Sequence, residues 1–151
     1  MNGYNMVPSF ILSLLKIYLG WLEKKKKTKI KSLLNSLDNK PGRTLTWVIQ
    51  SADGSYAVGL ITVNHLKAEA EVHEKSVDVW RILKGKGSFI IGGQLEKKRK
   101  IKPNEWLEPS IKGGKKFNVK TGDVVHIPAG TAHCVDAKNG KLEMLIIKIN
   151  L

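Results

Sequence analysis

From residue 43 to the C-terminus, apolar positions come in short runs rather than at helical spacing. Leu45–Gln50, Ala57–His65, Val77–Leu83, Ser88–Ile91, Lys116–Lys120, Val124–Ile127 and Glu143–Ile149 are rich in Val, Ile, Leu and aromatics. Such runs predict strands. The breaks between them hold Asp53-Gly54, Gly85, Gly92-Gly93, Gly113-Gly114, Thr121-Gly122, Pro128-Ala129-Gly130 and Asn139-Gly140. Many short strands punctuated by glycine turns predict a sandwich or barrel. Glu143–Ile149 reads as the closing strand, and internal repeats are absent.

The first 40 residues follow another pattern. Pro8–Leu22 is strongly apolar but interrupted by Lys16, and Lys24–Lys27 closes it. Ile30, Leu33, Leu34 and Leu37 continue at helical spacing until Pro41-Gly42. Residues 9–38 therefore predict one long helix or two short ones, with Ser9 as N-cap. A secretory signal places its charge before the apolar run, whereas here it follows, with no small-residue cleavage pattern. A membrane span needs roughly 20 uninterrupted apolar residues, more than this run offers. An amphipathic helix packed on protein is the preferred reading over peripheral membrane contact through 9–38. The expected organisation is a helical arm over 1–40 and a β-barrel over 41–151.

Composition narrows the class without naming a function. A chain of 151 residues, 42% hydrophobic and 26% charged, is long enough for one domain with a real core. The single Cys134 excludes an internal disulfide and favours a cytoplasmic location. The net charge of +13 is spread over both parts and carried mostly by Lys, rarely interleaved with aromatics. Dedicated nucleic-acid surfaces more often use Arg forks and stacking rings, so no specific nucleic-acid partner is expected.

Two segments carry chemistry. In Gly122-Asp123-Val124-Val125-His126-Ile127-Pro128-Ala129-Gly130-Thr131-Ala132-His133, Gly122 permits a tight turn into a strand. Pro128 and Gly130 make a stiff bend that re-aims the chain at His133. In Glu71-Val72-His73-Glu74-Lys75-Ser76-Val77-Asp78, Glu71 and His73 share one strand face because side chains alternate. Asp78 opens the next strand, from where it is expected to reach back across a hairpin.

The first of these segments, G-x5-P-x-G-x2-H, resembles the second signature of the cupin superfamily without a gap. The other resembles the first cupin signature in part: Glu71 stands at its first His, His73 matches the second and Asp78 replaces its Glu. Gly85 follows at the expected distance, whereas the leading glycine is missing and His65 falls about there. The resemblance covers roughly 45–149 and implies an all-β double-stranded β-helix, a jelly-roll barrel that commonly forms homodimers.

The same resemblance implies a metal site of His73, His133, Asp78 and Glu71, with Glu71 either a ligand or a general base. Imidazole with carboxylate suits Mn, Fe or Zn better than Cu. Alternation places Trp80 with Asp78 as a candidate pocket floor, with His126 and His65 as further pocket candidates. Cys134 should point away into packing, and Trp106 is read as a loop residue. The expected function is metal-dependent chemistry of oxygenase, isomerase or lyase type on a small polar organic ligand. The alternative is a non-catalytic binding or sensory module without an essential metal.

Overall fold

A computed structural model describes residues 31–37 and 42–151. Residues 31–37 are helical. The rest of the helix expected over 9–38 lies outside the described residues. Among the described residues, no helix is long and apolar enough to cross a membrane.

The remainder is ten antiparallel strands: β1 (Gly42–Gln50), β2 (Tyr56–Asn64), β3 (Ala70–His73), β4 (Ser76–Ile91), β5 (Arg99–Lys102), β6 (Glu105–Glu108), β7 (Lys115–Lys120), β8 (Val124–Ile127), β9 (His133–Asp136) and β10 (Lys141–Asn150). They form two facing layers joined through β4. One layer runs β1-β2-β10-β4-β8, and the other runs β7-β4-β9-β3-β6-β5.

The sequence reading divides Val77–Leu83 from Ser88–Ile91 at Gly85, but β4 runs through both. It pairs with β10 and β8 up to Gly85 and with β7 and β9 from Lys86. A register shift between Lys84 and Ile82 marks the corner. Gly85 sits there at φ 97°, and a Cβ on it would meet the Lys141 carbonyl oxygen at 1.9 Å. Only glycine fits a left-handed residue pressed against a neighbouring backbone.

The shift also changes which side chains point inward. Asp78, Trp80 and Ile82 are buried before the corner, Phe89 after it. Those apolar members join Ile61, Val63, Val119, Ile127, Val135, Leu142, Met144 and Ile146 in one core between the layers. Two further expectations are corrected. Trp106 lies on strand β6, not in a loop. Residues 74 and 75 do not join a hairpin: β3 pairs with β6 and β9, whereas the first half of β4, which they lead into, pairs with β10 and β8 in the other layer.

Candidate metal centre

The two layers each bring one facing pair to the same space. In the second layer Glu71 on β3 stands directly opposite His133 on β9. In the first layer Asp78 on β4 stands opposite Lys148 on β10. His73, two residues beyond Glu71, completes the group. Because the 74–75 link crosses between layers, Asp78 arrives from the facing sheet rather than from beside His73.

The resulting cluster is compact. Ligand atoms of Glu71, His73 and His133 all lie within 4.8 Å of one another. His73 Nε2 is 3.4 Å from Asp78 Oδ2 and 3.7 Å from Glu71 Oε2. His133 Nε2 is 3.7 Å from Asp78 Oδ2 and 3.8 Å from Glu71 Oε1. Donors held ~2.1 Å from a common ion at tetrahedral angles are about 3.4 Å apart, so these spacings fit one ion. All four residues are buried.

The second motif fixes His133 through its own turn. Gly130, at φ 75°, donates its N–H to the His73 carbonyl at 2.8 Å, tying the two motifs together. His133 Nδ1 lies 3.0 Å from the Thr131 carbonyl. A carbonyl only accepts, so Nδ1 carries a proton, and Nε2 is the nitrogen directed at the cluster. That Nε2 is buried without a hydrogen-bond partner, as are both Asp78 oxygens. Buried polar atoms left unsatisfied are costly, and an ion between His133 Nε2 and Asp78 Oδ2 would satisfy both, whereas Oδ1 faces Lys148.

On the other side of His73, Nδ1 is 3.5 Å from Glu105 Oε2 on β6 without forming a hydrogen bond, a carboxylate in the place from which ligating imidazoles are commonly oriented. Burial first, then the Lys148 ammonium, push the His73 imidazole down to about 4, although Glu71 and Asp78 pull the other way. His73 is therefore neutral at neutral pH, the form that binds metal.

Two cations complete the electrostatics. Arg43 Nη2 donates to Glu71 Oε1 at 3.0 Å. Lys148 Nζ is 3.1 Å from Asp78 Oδ1, at ion-pair distance but misaligned for a hydrogen bond. Burial alone would raise the Glu71 carboxyl. The Arg43 guanidinium is the largest opposing influence, and the group is held below its ordinary range. Glu71 is thus ionised at neutral pH, as a metal ligand or a general base must be, and its lowered pKa makes it the weaker base.

Of the sequence-derived pocket candidates, Trp80 lies beneath the cluster. It is fully buried, its ring centroid 6.4 Å from that of His133 and 5.6 Å from that of Phe89. His126 and His65 do not join the site. His126 is exposed on β8, with its neighbour Ile127 turned into the core instead. His65 is exposed at the end of β2 with φ 48°, its Nδ1 3.3 Å from the Lys138 carbonyl. Alternation sends His126 outward, and the turn after β2 carries His65 away. Arg43, Lys148 and Glu105 are the members missing from the sequence reading. Lys148 shares the face of Met144 and Ile146, and Arg43 that of Leu45 and Trp47, so period-two counting holds the signal for both.

No protein-family model matches the sequence, and neither does any curated protein. Solved structures do match in fold. A cupin-2 domain protein from Rhodospirillum rubrum superposes with a TM-score of 0.53 at 17% identity, over 72% of this chain and 60% of that one. The chain has the cupin fold. A DMSP lyase from Ruegeria pomeroyi matches this cupin barrel with a TM-score of 0.52 at 15% identity, over 72% of this chain and 47% of the lyase. A predicted oxalate decarboxylase from Thermotoga maritima matches with a TM-score of 0.52 at 18% identity, covering 72% and 81%. The chain thus spans less than two thirds of the first two proteins, and these likenesses concern the barrel alone.

Proposed function

We propose that this cupin barrel holds one divalent transition metal, Mn, Fe or Zn, and acts on or binds a small polar organic molecule beside it. His73, His133 and Glu71 would hold the ion, with Asp78 as the fourth candidate. The reading rests on one observation: a buried His133 Nε2 without a hydrogen-bond partner faces two carboxylates and the His73 imidazole.

When bound, such an ion supplies Lewis-acid polarisation of a substrate oxygen or an anchor for dioxygen. The chain's own residues do the rest. Arg43, partly exposed, places a guanidinium beside the cluster and Lys148 an ammonium beneath Asp78. A substrate carrying a carboxylate or another anionic oxygen is favoured by both. Trp80 and Phe89 close the floor and exclude water from below.

A second reading has its own support. Arg43 pairs with Glu71 and Lys148 with Asp78, so both carboxylates are balanced by protein cations alone. A metal-independent binding cup is compatible with that balance.

Elemental analysis of the purified full chain, with His73→Ala and His133→Ala alongside, separates the two. The metal reading predicts about one equivalent of a transition metal in the parent protein and little in either variant. Small-molecule binding that survives both substitutions, with no metal in the parent protein, would establish the second reading.

A further inference from the structure

A second concavity lies away from the metal centre and shares no residue with it. It is a cleft of about 630 Å³ bounded by the corner of β4, by β7 and by the β9–β10 turn. That volume lies within the range of small-molecule sites.

Four lysines line it: Lys86, Lys116, Lys120 and Lys138. Lys116 and Lys120 stand on the same face of β7, and Lys86 is the register partner of Lys120 on the adjacent strand. Two acids, Asp123 and Asp136, are also in the lining. Each is engaged locally: Asp123 accepts from the Lys120 backbone N–H at 2.8 Å, and Asp136 from that of Lys138 at 3.2 Å. Among the described residues, none of the four lysine ammoniums has an ion-pair partner. Other surface lysines do: Lys84 and Lys141 with Glu143, Lys98 with Glu74, Lys102 with Glu105 and Lys112 with Glu96.

Unpaired like charges around a concave surface repel one another and raise the local potential well above that of isolated surface lysines. Four lysines against two carboxylates leave the lining net positive, with both carboxylates already turned to backbone N–H groups. Ser88, also in the lining and buried, adds a hydroxyl, and Asn118 and Asn139 add amide donors. Lysine serves phosphate as a point charge, and hydroxyl and amide donors complete the oxygen contacts.

We propose that this cleft binds a small organic phosphate, a ligand carrying at least two negative charges. Pyrophosphate is the probe, titrated at physiological salt into the full chain with no metal added, by calorimetry and by amide NMR. Saturable one-to-one binding is expected, with shifts centred on Ser88, Asn118 and Asn139. Lys86→Gln/Lys120→Gln should weaken binding about 10-fold or more. Lys97→Gln/Lys100→Gln, which removes the same charge elsewhere, should change it less than about 2-fold. His133→Ala should leave it unchanged. Equal weakening by both lysine pairs would mean a diffuse field and overturn the proposal. So would non-saturable binding, or shifts centred on Glu71 and His73. Because the NMR mapping uses the unmodified protein, a folding defect in a variant does not remove the test.

Discussion

Glu71 and His133 face each other across β3 and β9, residue against residue, with His133 Nε2 3.8 Å from Glu71 Oε1. The pairing joins the variant position of the first motif to the fixed histidine of the second. Removing the imidazole leaves Glu71 with Arg43 and takes away the buried nitrogen that faces the cluster. His133→Ala is expected to lower transition-metal affinity by roughly two orders of magnitude, measured by competition with a chromogenic chelator.

Glu105 acts one step behind. It lies 3.5 Å from His73 Nδ1 and touches none of the other candidate ligands in the structure. Glu105→Gln should weaken metal binding about 10-fold with the fold retained, as carboxylates behind ligating histidines do. Unchanged affinity would show that Glu105 serves only Lys102, its other partner at 3.0 Å.

Lys148 and a metal ion compete for the charge of Asp78. Lys148→Met should therefore tighten metal binding about 10-fold, since an opposing cation is removed. In the metal-free state the same change leaves Asp78 buried and unpaired, at a cost of about 3 kcal/mol. Chemical denaturation with and without metal checks both halves: the variant should be less stable empty and regain stability when loaded.

The metal-free protein should weaken in acid. His73 titrates at about 4 in the fold against an ordinary value of 6.5, so the unfolded chain binds its proton first. Stability then falls as pH drops from about 6.5 and levels off below about 4, a total of about 3 kcal/mol from this group. Glu71 adds in the same direction: its depressed carboxyl contributes stability above its unfolded value that is lost as pH falls through the folded one. Urea unfolding between pH 7 and pH 4 measures the slope. A flat profile would contradict the burial assigned to His73.

Gly85→Ala tests the corner that turns β4 from one layer to the other. A methyl group there meets the Lys141 carbonyl at 1.9 Å in a left-handed conformation. A loss of about 2–4 kcal/mol is expected in thermal or urea unfolding.

The barrel was largely legible because its strands alternate and its turns carry glycine. What was missed has local causes. Gly85 looks like a turn in sequence because a mid-strand corner and a loop both need positive φ. The edge strand β5 carries Lys and Arg, where charge protects the edge and erases the apolar signal, and β6 beside it is only four residues long. Of the candidate cluster, the cupin resemblance pointed to His133, His73, Glu71 and Asp78, and the structure brings them together, with Asp78 arriving from the facing sheet and not across a hairpin. Alternation puts Arg43 and Lys148 on inward faces, but that they and Glu105 meet this cluster depends on strand pairing between segments far apart in sequence. His65 and His126 resembled pocket residues only by residue type. Backbone direction, which composition does not report, turns both outward.

The most direct test is anomalous diffraction from crystals of the full chain grown with Mn, Fe or Zn, recorded at that metal's absorption edge. A single peak bonded to His73 Nε2 and His133 Nε2, with a Glu71 or Asp78 oxygen beside them, is the predicted result. No peak at saturating metal, or a peak that leaves either imidazole uncoordinated, would contradict it.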